Sequence, residues 1–201
     1  MGQGMDQTSK LATPNYVEDL AQAVALVQKA ERILIIGCSG TGKSTLAKAL
    51  AEQFGHVYIS MDREIFWLPG WKLRPREEIL QRIRDAVAGP RWIMDGNSPG
   101  TLPLRLPRTD LVIWRRAPRH VAFLGVFKRW WKYHGKTRPE MAPGCPEHID
   151  LKFLRYIWNF ERKEVPQFEE MLTKHGSHIP LVTLSSFREI DRLLALLQTA
   201  A

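Results

Sequence analysis

Ile33-Leu-Ile-Ile36 runs straight into Gly37-Cys-Ser-Gly-Thr-Gly42-Lys43-Ser44, and Thr45 to Phe54 follow at once. Four apolar residues in a row suit a strand buried on both faces, as in a parallel sheet. The next eight fit the pattern G-x-x-x-x-G-K-[ST]. The segment Thr45 to Phe54, rich in Leu, Ala and Lys, reads as a helix. Strand, glycine-rich turn and helix in that order make a seat for a polyphosphate. Glycines let the backbone curl round an anion without a Cβ in the way. The amides of the turn and of the helix start then point inward. Lys43 brings a point charge to the β- and γ-phosphates, and the Ser44 hydroxyl can ligate Mg²⁺. Gly37, Ser39, Gly40, Thr41, Gly42, Lys43, Ser44 and Thr45 are therefore expected to hold ATP with magnesium.

Working outward, four more strand candidates appear: Val57 to Ser60, Trp92 to Met94, Leu111 to Trp114 and Pro180 to Leu184. Helix-like stretches separate them, around Arg76 to Ala88, Pro118 to Tyr133, Ile149 to Leu172 and Phe187 to Leu197. Such alternation implies right-handed crossovers and a parallel sheet, an α/β fold. Upstream, Val17, Leu20, Ala21 and Val24 share one helical face, and Asn15 with Glu18 resembles a capping box, which predicts a helix from Tyr16. Residues 1–14 are polar and Gly-rich and are expected to form a mobile tail, with one domain over 15–201. The stretch 134–148 holds three prolines and two glycines between two long helices and is expected to form a lid.

Composition narrows the partners. The chain has 201 residues, 44% hydrophobic and 25% charged, enough for one folded domain rather than a disordered segment. Its apolar runs are too short to cross a bilayer. No basic segment followed by an apolar stretch opens the chain, so a cytoplasmic location is expected. Cys38 lies inside the phosphate motif, where a disulfide would distort the loop. Cys38 and Cys145 both read as free thiols. Cys145 and His148 lack a second ligand pair nearby, which argues against structural zinc. The formal charge of +8 favours anionic partners: nucleotides, nucleic acid or acidic lipid.

Two carboxylates end strand candidates, where ligands bind in open α/β sheets. Asp95 closes Trp92-Ile-Met-Asp95 and is the candidate to hold Mg²⁺, directly or through water; a turn-capping role is the alternative. Asp62 closes Val57-Tyr-Ile-Ser-Met-Asp62. It is the candidate to accept a proton from, or orient, an acceptor hydroxyl. A second metal carboxylate or a helix cap are its other readings. The segment Lys128 to Arg138 mixes cations with Trp130, Trp131, Tyr133 and His134. It fits arginines closing over a transferring phosphoryl group, a solvated helix face, or a nucleic-acid surface. Nucleic acid stays open as a partner but is not favoured.

Together these motifs resemble the FlaR-type topology modulation proteins, a branch of the adenylate-kinase-like P-loop kinases. The matching stretches are Ile35 to Thr45, Phe66-Trp-Leu-Pro-Gly-Trp71, Trp92-Ile-Met-Asp-Gly-Asn97, Gly100-Thr-Leu-Pro-Leu-Arg105, Thr137-Arg-Pro-Glu-Met141, Gly144-Cys-Pro146 and Phe153-Leu-Arg-Tyr-Ile-Trp-Asn159. The resemblance covers roughly Ile33 to Leu197. It implies a P-loop fold of the nucleoside-monophosphate-kinase type: a five-stranded parallel sheet of order 2-3-1-4-5, flanked by helices. It implies an acceptor-binding region over 62–89 and the lid over 134–148. Arg129 matches an arginine on the helix entering the lid, and Arg138 falls within it; Arg155 and Arg162 are weaker candidates on the helix leaving it. Ser185-Ser186 matches the loop that lines the adenine. One departure stands out. Adenylate kinases follow Asp-Gly with Phe-Pro-Arg, whereas Asn97-Ser98-Pro99 follows here. The monophosphate-binding arginine is missing, with Arg105 its only suggested substitute. The expected activity is that of an ATP-dependent kinase for a nucleotide or other small molecule. A nucleotide-dependent regulator of DNA topology is the alternative.

Overall fold

Burial on both faces is what the apolar run at Ile33 demands, and the sheet around it supplies that. The structure, a computed structural model, describes residues 13–199. The expected mobile tail over 1–14 therefore falls almost wholly outside the described residues. In chain order the elements are β1 (Asn15–Val17), α1 (Leu20–Lys29), β2 (Arg32–Gly37), α2 (Lys43–Phe54) and β3 (Val57–Ser60). A single π-helical turn over Met61–Phe66 leads to the short β4 (Trp67–Leu68) and β5 (Lys72–Leu73), then α3 (Arg76–Ala88) and β6 (Trp92–Asp95). Next come α4 (Leu102–Arg105), β7 (Leu111–Arg115), α5 (Arg119–Tyr133), α6 (Leu151–Lys163), α7 (Val165–Gly176), β8 (Pro180–Leu184) and α8 (Phe187–Thr199).

All strands of the main sheet run parallel, in the order β3-β6-β2-β7-β8-β1. Its first five members reproduce the expected order 2-3-1-4-5. The sixth corrects the sequence reading: Asn15–Val17 is an edge strand on β8, not the start of a helix. Asp19, not Asn15, caps α1, accepting from the amides of Ala21 and Gln22 at 3.3 and 3.1 Å. The helix expected over Ile149 to Leu172 is two helices, α6 and α7. Pro166, in the first turn of α7, cannot donate to an α6 carbonyl, and its ring would strike one, so α6 cannot run on through it.

Alternation along β2 divides the core. Leu34 and Ile36 pack with α3, α5, α6 and α7, while Ile33 and Ile35 pack with α1, α2 and α8. In register, Ile35 and Ser60 sit opposite Asp95, and Gly37 sits opposite Arg115. The C-terminal strand edge thus gathers the phosphate loop, Asp95 and Arg115 into one row. Among the described residues no helix is long and apolar enough to cross a membrane.

Candidate functional site

The loop between β2 and α2 is shaped by glycine where it must be. Gly40 and Gly42 have φ of 81° and 88°, in the left-handed region that a Cβ penalises. Gly42 is the N-cap of α2 and no side chain caps that helix. The first amides of a twelve-residue helix are thus left to face the cleft. The Lys43 ammonium donates to the Cys38 carbonyl at 2.8 Å, and the Thr41 hydroxyl donates to the same oxygen at 2.8 Å. Burial pulls the Lys43 pKa down, against the pull of Asp95, Cys38 and Asp62. An ammonium short of solvent gains most from an incoming polyphosphate.

Three outside contacts hold the loop. The Gly37 amide donates to Asn97 Oδ1 at 3.0 Å. Arg115 Nε donates to the Thr41 carbonyl at 3.0 Å, and Arg115 Nη1 reaches the carbonyls of Leu184 and Ser186. Arg115 is fully buried, and burial pushes its pKa down to about 10. It is a structural clamp behind the loop. The third contact is α5 itself: a Cβ on Gly125 would fall inside the carbonyl oxygen of Gly40. Gly125→Ala is expected to cost about 1–3 kcal/mol of stability by forcing helix and loop apart. Urea unfolding checks this; unchanged stability would mean that the helix does not rest on the loop.

Asp95 is buried, with burial raising its carboxyl pKa while the Ser44 hydrogen bond and the Lys43 charge lower it. Ser44 Oγ donates to Asp95 Oδ2, and Tyr58 donates to Oδ1 at 3.1 Å. A hydroxyl and a carboxylate, both hard oxygen donors, thus touch beside Lys43. That donor set fits Mg²⁺, which takes one or two protein oxygens and keeps several waters. Asp62 lies on the π-helical turn, with its side chain 46% exposed, and faces Arg138 rather than Asp95.

The two expected arginines meet at one carboxylate. Arg129 pairs with Glu147 at 2.8 Å and donates to Ser39 Oγ at 3.1 Å. Arg138 pairs with Asp62 at 3.1 Å and approaches Glu147 at 3.5 Å. Glu147, buried, was missed in the sequence because only the chain's return at 134–148 brings it here. That stretch is a loop pinned to its neighbours. Glu140 pairs with Lys48, its carbonyl accepts from Ser60 Oγ at 2.9 Å, and Arg63 reaches the Pro139 carbonyl at 3.3 Å. Trp71, at φ 59°, donates through Nε1 to the Pro146 carbonyl at 3.1 Å. Its ring meets Trp67 and His148 edge-on. The Cys145 thiol donates to the Leu68 carbonyl at 3.3 Å, and both cysteines are free.

One cleft of about 720 Å³ collects Ser39, Gly40, Gly42, Lys43, Ser44, Thr45, Asp62, Asp95, Arg129 and Arg138. Gly37 and Thr41 stand behind it as backbone. Several sequence candidates lie elsewhere. Arg105 is fully buried and donates to the carbonyls of Gly96 and Ser98 at 3.1 and 2.9 Å, so it is no substitute for a phosphate-binding arginine. Arg155 and Arg162 are exposed on α6 and line no part of this cleft. The amides of Ser185 and Ser186 are taken up by the Glu189 carboxylate, while Phe187 after them lines the cleft. Trp131 is 82% exposed.

Comparison with known proteins follows this geometry. A profile of the AAA domain matches residues 32–66, the stretch that carries the phosphate loop. A Bacteroides thetaiotaomicron shikimate kinase structure aligns with 85% of this chain and 98% of its own, at 17% identity and a TM-score of 0.50. The fold is that of the P-loop kinases. An Acinetobacter baumannii shikimate kinase in complex with shikimate aligns with 88% of this chain and 96% of its own, at 14% identity and a TM-score of 0.48. In sequence, the "Uncharacterized protein YqaC" of Bacillus subtilis (strain 168) is 24% identical over 149 residues, covering 72% of this chain and 81% of that protein. On the P-loop kinase fold, the cleft found here lies where the parallel strands end.

Proposed function

We propose that this chain is an ATP-dependent phosphotransferase that moves the γ-phosphoryl group of Mg-ATP to a small-molecule hydroxyl. The observation that carries the reading is the convergence of Lys43, the Ser44–Asp95 pair, Arg129 and Arg138 on one cleft beside the amides of α2. In this reading the loop amides and Lys43 hold the β- and γ-phosphates. Ser44 and Asp95 hold the magnesium, which when bound neutralises charge on those oxygens. Phe187 offers a ring to the base. Arg129 and Arg138 face the phosphoryl group in flight, and Asp62 takes the acceptor's proton. The 134–148 loop acts as the lid that keeps water out. Nearly all the rate enhancement then comes from positioning and fixed charge.

A screen of alcohol acceptors with ATP and Mg²⁺, reading ADP release and transfer of γ-labelled phosphate, tests it. The expected result is label appearing in an acceptor and absent without magnesium. ADP release that no acceptor stimulates would contradict it. The second reading, a nucleotide-dependent regulator on DNA, is favoured by exposed Trp131 next to Lys132. It predicts DNA affinity that falls steeply with salt and changes with bound nucleotide.

A further inference from the structure

Positive charge is not spread evenly over this chain. Together α5 and α6 carry eight lysines and arginines against one acid, Glu161, while the remaining residues carry 21 against 20. Glu161 is itself taken by Arg116 at 2.6 Å. Of the eight cations, only Arg129 meets a carboxylate among the described residues. Lys128, Arg129 and Lys132 line the phosphate cleft, but Lys152, Arg155, Arg162 and Lys163 on α6 do not.

Exposed apolar surface gathers on the same two helices. Ten large apolar side chains are exposed among the described residues. Half of them lie here: Leu124, Phe127 and Trp131 on α5, Leu151 and Trp158 on α6. Spacings of three and four put each set on one helical face, and Arg155 and Arg162 share the face of Leu151 and Trp158. The helices pack on each other, and their outer faces meet at Trp158. Its ring lies 6.3 Å from that of Phe123, and the Arg119 guanidinium sits over it at 4.5 Å. Beside that meeting point opens a cavity of about 880 Å³, lined in part by Arg119, His120 and Arg162. An apolar strip edged with cations is the composition of a helix that lies in a membrane interface.

Each other occupant leaves part of this surface unmatched. A second copy would set cations against cations. A nucleic acid would meet the cations and stack on the rings, but Leu124 and Leu151 offer a base no face. A small anion would fill the cavity and leave the strip in water. An anionic bilayer matches both parts. Its phosphodiester headgroups face the ammonium and guanidinium groups, its upper acyl region takes Leu124, Phe127 and Leu151, and the two indoles sit at headgroup level.

We propose that the α5–α6 face docks this protein on an anionic lipid surface, lying on the bilayer without crossing it. The proposal stands apart from the phosphotransferase reading and is tested without nucleotide.

The test is co-sedimentation of the full chain with phosphatidylcholine vesicles, alone or with about 30% phosphatidylglycerol. Binding to the anionic vesicles is expected to be at least about tenfold tighter than to the neutral ones, and to fall as salt rises from about 0.1 to 0.5 M. Phe127→Ala with Trp131→Ala is expected to weaken it about tenfold through lost apolar contact. Arg155→Gln with Arg162→Gln is expected to do the same, at about fivefold per cation. All four side chains are exposed, so both double variants should melt within about 2 °C of the parent. The pairs are tested separately, so if one melts early the other decides. No binding to anionic vesicles, equal binding to neutral ones, or parental binding by a folded double variant overturns the proposal. So does DNA that binds more tightly than the anionic vesicles through the same side chains, which reads the face as a nucleic-acid surface. A lipid-free dimer abolished by the Phe127 and Trp131 substitutions overturns it in favour of a second copy.

Discussion

Lys43→Ala is expected to lower phosphoryl transfer by about three orders of magnitude while the protein stays folded. The ammonium is held against the Cys38 carbonyl at 2.8 Å, at the mouth of α2, where desolvation pulls its pKa down. Charge that develops on the γ-phosphoryl oxygens would meet it at full strength. Removing it takes away one hydrogen bond to a loop carbonyl, a loss of about 1 kcal/mol, which a domain of this size tolerates. Kinetics paired with a thermal melt separate the two effects. A variant with parental turnover, or one whose loss of turnover follows loss of fold, would remove Lys43 from the mechanism.

Asp95→Asn is expected to cut turnover by about two orders of magnitude or more and yet leave the unliganded protein as stable as the parent, or more so, at neutral pH. Burial raises the folded-state pKa of Asp95, and Ser44 and Lys43 only partly oppose it. A carboxyl whose pKa is raised on folding contributes stability below its unfolded value. That contribution is lost as pH rises through the folded value. At neutral pH the ionised carboxylate is therefore a cost that the amide avoids, while the Asn oxygen still accepts from Tyr58 or Ser44. The advantage of the variant should shrink as pH falls and Asp95 takes up its proton. Denaturant melts across the acidic range check the sign. A variant clearly less stable than the parent at neutral pH would show that ionised Asp95 stabilises the fold, contrary to this account.

Such opposition between stability and function marks where sequence reasoning could and could not reach. The parallel sheet was legible because the apolar runs at Ile33, Ile93 and Val112 need burial on both faces and a helix stands between each strand and the next, whereas the strand order came from the resemblance to the P-loop kinases. The phosphate loop was legible because its chemistry is local: glycines, a lysine and a serine at fixed spacing. Residues that act through the chain's return were not. Glu147 gains its meaning only when the loop after α5 folds back onto Arg129 and Arg138. Arg105 reads in the sequence as a substitute for the missing phosphate-binding arginine, and Arg115 carries no signal of its own, because burial of a guanidinium is rare. Each is stabilised by backbone carbonyls that a sequence does not place. Tyr58 could have been suspected as the middle of a strand ending near Asp95. Its bond to that carboxylate depends on β3 lying next to β6. The edge strand at Asn15–Val17 was hidden by the helical spacing downstream of it, since three residues carry too short a pattern to compete.

Asn97 belongs between these cases. The sequence shows it replacing the first residue of a familiar motif. Only the structure shows it bridging the Gly37 amide and the Tyr156 hydroxyl, joining the phosphate loop to α6.

The central claim is that the amides at the start of α2, together with Lys43, enclose a magnesium-bound triphosphate. Isothermal titration of Mg-ATP into the folded chain, alongside Lys43→Ala, tests it most directly. One site per chain in the parent, with affinity weakened at least about tenfold in the variant, is the outcome predicted. No heat with any nucleoside triphosphate, or equal affinity in the two proteins, would contradict it.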